Sequence, residues 1–325
     1  MKIRQFAMHC MVAAFAFGAA PLHAEDAVKV TFGISARSPA FLLPILAKEE
    51  GLFAKQGITD IDVTFGPGPQ TSAALAGGAF DMTMTAAPAV DLVAMTSARA
   101  KVLAVSETHS AQSLLGAPGV ASVRDLKGRK VAISGGKGSA TSMLVAAALH
   151  REGMSLDDIT LIVLQDSGAA TKAFLSEQVD AVASFPPNLT RLIDGRPGTQ
   201  VIDNLDDIVL PGAQFSVNDA WAKEHPDTVV GLLRALDESM QLFKSDPERG
   251  KALIAAQLNL QDNPELVEQL YDYADTYMLD RLTVVDEPLQ RSVMDLLRLS
   301  GFAEATDDKI PNIIAPEYAL KALAQ

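Results

Sequence analysis

The chain has 325 residues, room for about two domains. It is 48% hydrophobic and 21% charged, a mix that excludes wholesale disorder. Its 27 basic and 40 acidic residues give a net charge of −13, and no basic stripe interrupts that excess, which argues against a nucleic-acid partner.

Lys2 and Arg4 precede an apolar run from Met8 to Ala20, and Pro21-Leu22-His23-Ala24 leads into Glu25-Asp26. A run of 13 residues is too short to span a bilayer, which needs roughly 20. The segment therefore reads as an export signal, residues 1–24, cleaved after Ala24. Cleavage would leave 325 − 24 = 301 residues with a charge of 25 − 40 = −15. The single cysteine, Cys10, lies inside that signal, so the remainder has no disulfide and no thiolate metal site. The expected location is periplasmic.

Short β-branched segments then alternate with helical patterns. Strands are expected at Val28–Ile34, Ile61–Phe65, Met82–Thr85 and Lys101–Val105, with helices at Pro39–Gln56, Thr71–Ala76 and Pro88–Thr96. The pattern restarts with strands at Lys130–Ser134, Ile159–Leu164 and Ala181–Phe185 and helices at Ser139–Glu152 and Thr171–Ser176. Such alternation predicts an α/β protein with mostly parallel, doubly wound sheets. From about Asp219 the character changes, and Asp219–His225, Asp227–Ser245, Pro247–Gln257, Asn263–Tyr277 and Glu287–Ser300 all read as helices. Asp or Asn caps and first-turn prolines mark their starts.

The two α/β stretches read as copies. Ala74-Leu75-Ala76-Gly77-Gly78-Ala79-Phe80-Asp81 aligns with Ala173-Phe174-Leu175-Ser176-Glu177-Gln178-Val179-Asp180 at an offset of 99. Ser72 falls on Thr171, Thr85 on Ser184 and Pro88 on Pro187, while Lys29-Val30 matches Lys130-Val131 at an offset of 101. A period of this size is that of a domain rather than of a solenoid.

Enzyme signatures fail. Gly135-Gly136-Lys137-Gly138-Ser139 lacks the spacing of a phosphate loop and of a dinucleotide fingerprint, and no nucleophile elbow occurs. His109, His150 and His225 stand far apart in the sequence and form no metal spacing. Neither cofactor nor metal is expected, and no catalytic residue.

What remains are strand-to-helix junctions, where an open α/β sheet binds ligands with the free N–H groups of helix starts. Ser35, Arg37 and Phe41 follow the first strand, Gln70 and Thr71 the second, Thr85 and Ala86 the third. Lys137, Gly138, Ser139, Ala140 and Thr141 open the second copy, and Ser184 with Phe185 repeats the third junction. Arg37 and Lys137 occupy equivalent loops, so together they would suit an anion.

Ala47 to Gly57, Ala74 to Asp81, Asp125 to Ala132 and Phe174 to Pro186 give the chain a resemblance to periplasmic solute-binding proteins of the nitrate/sulfonate/taurine type of ABC importer, a group that includes thiamine-precursor relatives. The resemblance implies a two-lobed periplasmic-binding-protein-like fold of type II, with two crossover strands near Val105–Ser113 and Ile202–Ser216. One lobe would hold residues 25–106 and 213–325, the other 107–212. It implies a small-molecule ligand, an ABC permease in the inner membrane as partner, and a monomer. Many sulfonate-type members carry Trp where this chain has Phe185, and His soon after the Gly-Ser of the fourth junction, where it has none. That leaves sulfonate, nitrate, carboxylate and pyrimidine-like ligands open. The alternatives are an enzyme on the same fold, related to pyrimidine-precursor synthases, or a ligand-presenting sensor subunit.

Overall fold

The computed structural model describes residues 28–110, 112–186 and 188–324. The expected leader and Pro187 lie outside them. A first run comprises β1 (Lys29–Ile34), α1 (Leu43–Glu49), α2 (Leu52–Lys55), β2 (Asp60–Phe65), α3 (Gly68–Gly77), β3 (Met82–Thr85), α4 (Ala89–Ser97) and β4 (Ala100–Val105). A second comprises β5 (Ser113–Gly116), β6 (Lys130–Ser134), α5 (Ala140–Arg151), β7 (Thr160–Leu164), α6 (Ser167–Leu175), β8 (Ala181–Ser184), α7 (Asn188–Gly195) and β9 (Gln200–Asp203). The chain returns through β10 (Gln214–Asn218) and continues with α8 (Asp219–Glu224), α9 (Pro226–Ser245), α10 (Pro247–Leu258), α11 (Pro264–Tyr277), β11 (Thr283–Val284), α12 (Glu287–Leu299), α13 (Ile310–Ile313) and α14 (Pro316–Leu323). The helix expected over Pro39–Gln56 is three pieces: a 3-10 turn at Pro39–Leu42, then α1 and α2. Gly51, at φ 67°, separates α1 from α2 in a conformation that no helix interior permits.

Two sheets result, in the orders β11-β4-β10-β3-β1-β2 and β7-β6-β8-β5-β9. β1 is parallel to β2 and β3, and β6 to β7 and β8. β10 runs antiparallel between β3 and β4, and β5 antiparallel between β8 and β9. Each sheet thus pairs its third parallel strand with a strand that has just arrived from the other sheet. This is the two-lobed, type II periplasmic-binding-protein fold, with a helical C-terminal region. Residues 106–110 with Gln112, and 204–213, make the two crossings, and an antiparallel bridge between His109 and Val209 ties them together. Glu107 is buried in the first crossing. A Cβ on Gly212 of the second would lie 2.0 Å from its carboxylate oxygen, so a side chain there would have to displace the Glu107 carboxylate.

The internal repeat has a physical basis. The amide of Thr31 donates to the Asp81 carboxylate at 2.7 Å, and the Asp81 amide donates back to the Thr31 carbonyl at 2.9 Å. Ninety-nine residues on, the Lys130 amide donates to Asp180 at 2.9 Å, and the Asp180 amide to the Lys130 carbonyl at 2.8 Å. Phe32 pairs with Met82 as Val131 pairs with Ala181. The first strands therefore keep the offset of 99. The 101 expected from Lys29-Val30 was a coincidence of composition, corrected by the pairing register.

Strand alternation sorts the core. Phe32, Ile34, Met82, Met84, Phe215 and Val217 meet Leu43 and Leu46 of α1 and Leu232, Leu236 and Phe243 of α9. On the opposite face Thr83 and Thr85 point under α3 and α4. A second apolar cluster runs from Val90 and Ala94 of α4 through Val293 and Leu297 of α12 to Leu144 of α5 and Ile133 of β6. The helix α12 therefore packs on both lobes.

Candidate functional site

The loops beyond the carboxyl ends of β2, β3 and β6 enclose a cavity of about 520 Å³. The first lobe contributes Pro69 from α3, Ala86 to Ala89 at the β3–α4 turn, and Leu92 and Val93 one turn into α4. The second contributes Gly135, Gly136, Lys137, Gly138, Ser139 and Ala140, the whole β6–α5 loop, and Phe302 closes the remaining side from just beyond α12. The walls are largely apolar, broken by Lys137, by Ser139 and by loop amides.

Local chemistry explains this shape. Gly135 and Gly136 sit at φ 83° and 96°, which turns the chain away from β6 and into the cavity. Ser139 caps α5, its hydroxyl accepting from the Ser142 amide at 3.3 Å. The first amides of α5 have no acceptor within the helix and lie at the wall. On the other side, Pro88 starts α4. Asp91, fully buried in the first turn, anchors that helix: Gln214 of β10 and Gln290 of α12 donate to its two oxygens at 2.8 and 2.7 Å. Burial pushes the Asp91 carboxyl above its ordinary range, and the two amide donors offset part of that. The apolar wall is thus tied both to the returning strand and to the helix that spans the lobes.

Of the residues singled out from sequence, Ala86, Lys137, Gly138, Ser139 and Ala140 line this cavity. Thr141 is buried in the first turn of α5 behind them. Ser35 lies at the end of β1, its amide on the Met84 carbonyl. Arg37 is exposed and its guanidinium stacks 4.0 Å over the Phe65 ring, apart from the cavity walls. Phe41 is buried in the core of the first lobe. Gln70 is exposed on α3, while the Thr71 hydroxyl donates to the Pro67 carbonyl at 2.9 Å. Thr85 and Ser184 end equivalent strands, and both bury a hydroxyl that has no partner among the described residues. Phe185 is half-buried beyond β8. Sequence reasoning passed over Ala89, Leu92, Val93 and Phe302. The first three sit beside the junctions it identified. Phe302 follows Gly301, at φ 95°, where a helix ends, and nothing in the sequence ties it to loops more than 160 residues earlier.

A Brucella abortus (strain 2308) protein, whose assignment as a binding protein is itself an inference, is 28% identical over 234 residues, 71% of this chain and 72% of its own length. The crystal structure of the periplasmic aliphatic sulphonate binding protein SsuA from Escherichia coli superposes with a TM-score of 0.73 at 24% identity, covering 88% of this chain and 92% of that one. The periplasmic nitrate-binding protein NrtA from Synechocystis PCC 6803 gives 0.70 at 16% identity, covering 92% and 89%. The sequence profile of the NMT1/THI5-like family matches residues 38–250, more than half of the chain, and the protein belongs to that family.

Proposed function

We propose that the protein is the solute-binding component of an ABC importer, a periplasmic protein that captures a small anion between two lobes by hinge closure. One observation carries the reading. Two sheets of like topology present the carboxyl ends of their strands to a single cavity, and loops of both make its walls. The naming of relatives as binding proteins supports a role without catalysis. In this reading the lobes are residues 25–106 with 213–325, and 107–212, and the protein acts as a monomer. The leader is removed after Ala24. A permease in the inner membrane receives the solute. Lys137 supplies the charge that an anion needs, and the amides at the start of α5 supply directional donors. The apolar walls receive whatever body the anion carries. A solute that touches both lobes stabilises the closed state by the difference in its affinity for the two states.

Calorimetry with nitrate, taurine, 1-hexanesulfonate, benzoate and a hydroxymethylpyrimidine tests this. At least one should bind, and its saturation should reduce the radius of gyration in solution scattering. Binding of none of the panel at millimolar concentration, or binding with an unchanged scattering profile, would contradict solute capture by closure.

A further inference from the structure

Three glycines open the second lobe's lip, and they are there for different reasons. Gly135 and Gly136 hold positive φ angles that other residues resist. Gly138 does not: its φ lies outside the left-handed region, so its backbone would accept a side chain. Space forbids one. A Cβ at position 138 would lie 2.8 Å from Cδ1 of Leu92 and 3.1 Å from Cζ of Phe302.

Those two neighbours do not belong to the loop's own sheet. Leu92 stands on α4, which covers the first sheet, and its amide is anchored on the Pro88 carbonyl at 3.0 Å. Phe302 follows α12, its amide anchored on the Leu297 carbonyl at 3.0 Å. The Gly138 backbone therefore seats in a notch between two side chains carried by other elements. Leu92, Phe302 and Gly138 are also walls of the cavity. If Leu92 swung aside to admit a methyl group, Phe302 would still be closer than ordinary van der Waals contact allows.

We infer that Gly138 is the stop of lobe closure: its missing side chain sets the spacing at which the lobes meet, and so limits the space left for an enclosed solute. The inference rests on the two-lobe capture reading but concerns a contact, not a solute. A side chain at 138 acts as a wedge, and trimming Leu92 removes what the wedge strikes. Neither effect depends on which anion the cavity takes.

The test measures lobe separation both without solute and with each solute of the calorimetric panel at saturating concentration, so that the closed state is sampled. Ala73 on α3 and Thr190 on α7 are exposed, one on each lobe, and can carry spin labels as Ala73→Cys and Thr190→Cys in a Cys10→Ser chain. In double electron–electron resonance, Gly138→Val should move the main distance peak to longer separations than in the parent. Gly138→Ala should move it less. Adding Leu92→Ala to Gly138→Val should return the peak toward the parent position. A peak unmoved by Gly138→Val overturns the inference, as does a shift that Leu92→Ala leaves in place, since that would mark a local folding defect. Failure of every solute in the calorimetric panel would remove the capture reading and leave this distance measurement to stand or fall by itself.

Discussion

Both lobes close their first βαβαβ unit with the same device. Asp81 and Asp180 each accept from an amide near the start of the middle strand of the unit, Thr31 in β1 and Lys130 in β6, and their carbonyls accept from Asn218 and Ala117, the residues that end or follow the inserted antiparallel strand. Ser72 and Thr171 even donate to equivalent helix carbonyls, those of Gly68 and Ser167. The lobes part company at the cavity. The first presents Pro69 and Pro88, which fix the chain and withhold N–H groups. The second presents Gly135, Gly136 and Gly138 with Lys137, which expose backbone and bring a charge. One scaffold thus yields a stiff apolar jaw and a polar jaw that can approach closely. Likeness is confined to the hydrogen bonds that hold the sheets, and difference to the loops that meet a solute.

The comparison breaks most sharply at the crossings, where one carries buried Glu107 and the other Gly212. Burial pushes the Glu107 carboxyl up to about 7 from an ordinary 4.5, with Tyr273 of α11 nearby. Between those values the folded protein keeps a proton that the unfolded chain has released. Stability is therefore full below about pH 4.5, falls as pH rises toward 7, and levels off above it. Glu107→Gln should abolish that slope and gain roughly 3 kcal/mol at pH 8 relative to pH 4.5. Urea denaturation of both proteins at the two pH values measures it, and parallel pH profiles would refute it.

The aspartate pair sharpens the likeness. Asp81 accepts from the Thr31 hydroxyl as well as its amide, whereas Asp180 accepts from the Lys130 amide and lies 3.6 Å from the Arg129 guanidinium in a more exposed setting. Asp81→Ala should cost about 2–3 kcal/mol and Asp180→Ala about 1–2 kcal/mol in denaturation experiments. Equal losses would show that the extra hydroxyl adds nothing.

The smallest effect separates the two cations. Lys137→Ala should weaken binding of whichever panel anion binds by about 1–2 kcal/mol, roughly tenfold. Arg37→Ala, stacked on Phe65 away from the walls, should change it by less than about 0.5 kcal/mol. Titration calorimetry of both variants decides, and a matching loss in Arg37→Ala would restore the two cations to equal standing.

Much of this was legible in the chain. The parallel strands announced themselves as β-branched runs between helical patterns, and Asp81 and Asp180 sat at a constant spacing because each receives the equivalent amide of the middle strand, Thr31 or Lys130. The β6–α5 loop was legible because three glycines beside a lysine are unusual. The antiparallel strands were harder to read. Ser113–Gly116 and Gln214–Asn218 are short, and the sequence shows them only as passages between halves, since their pairing depends on chain segments about 70 and 130 residues away. Arg37 and Lys137 looked alike because spacing records position along the chain, whereas Phe65 decides where the Arg37 guanidinium rests. Phe302 was invisible for the same reason: its place at the cavity is made by the path of α12.

The interleaved strand order has a consequence for how the molecule is made. All strands of the second sheet lie between residues 113 and 203, so that half is complete once this one stretch has emerged. The first sheet has to wait with a gap between β3 and β4 until Gln214–Asn218 arrives, after the whole of its twin. The half begun earlier in synthesis is thus the one finished later, and until then it offers two unpaired strand edges to its surroundings.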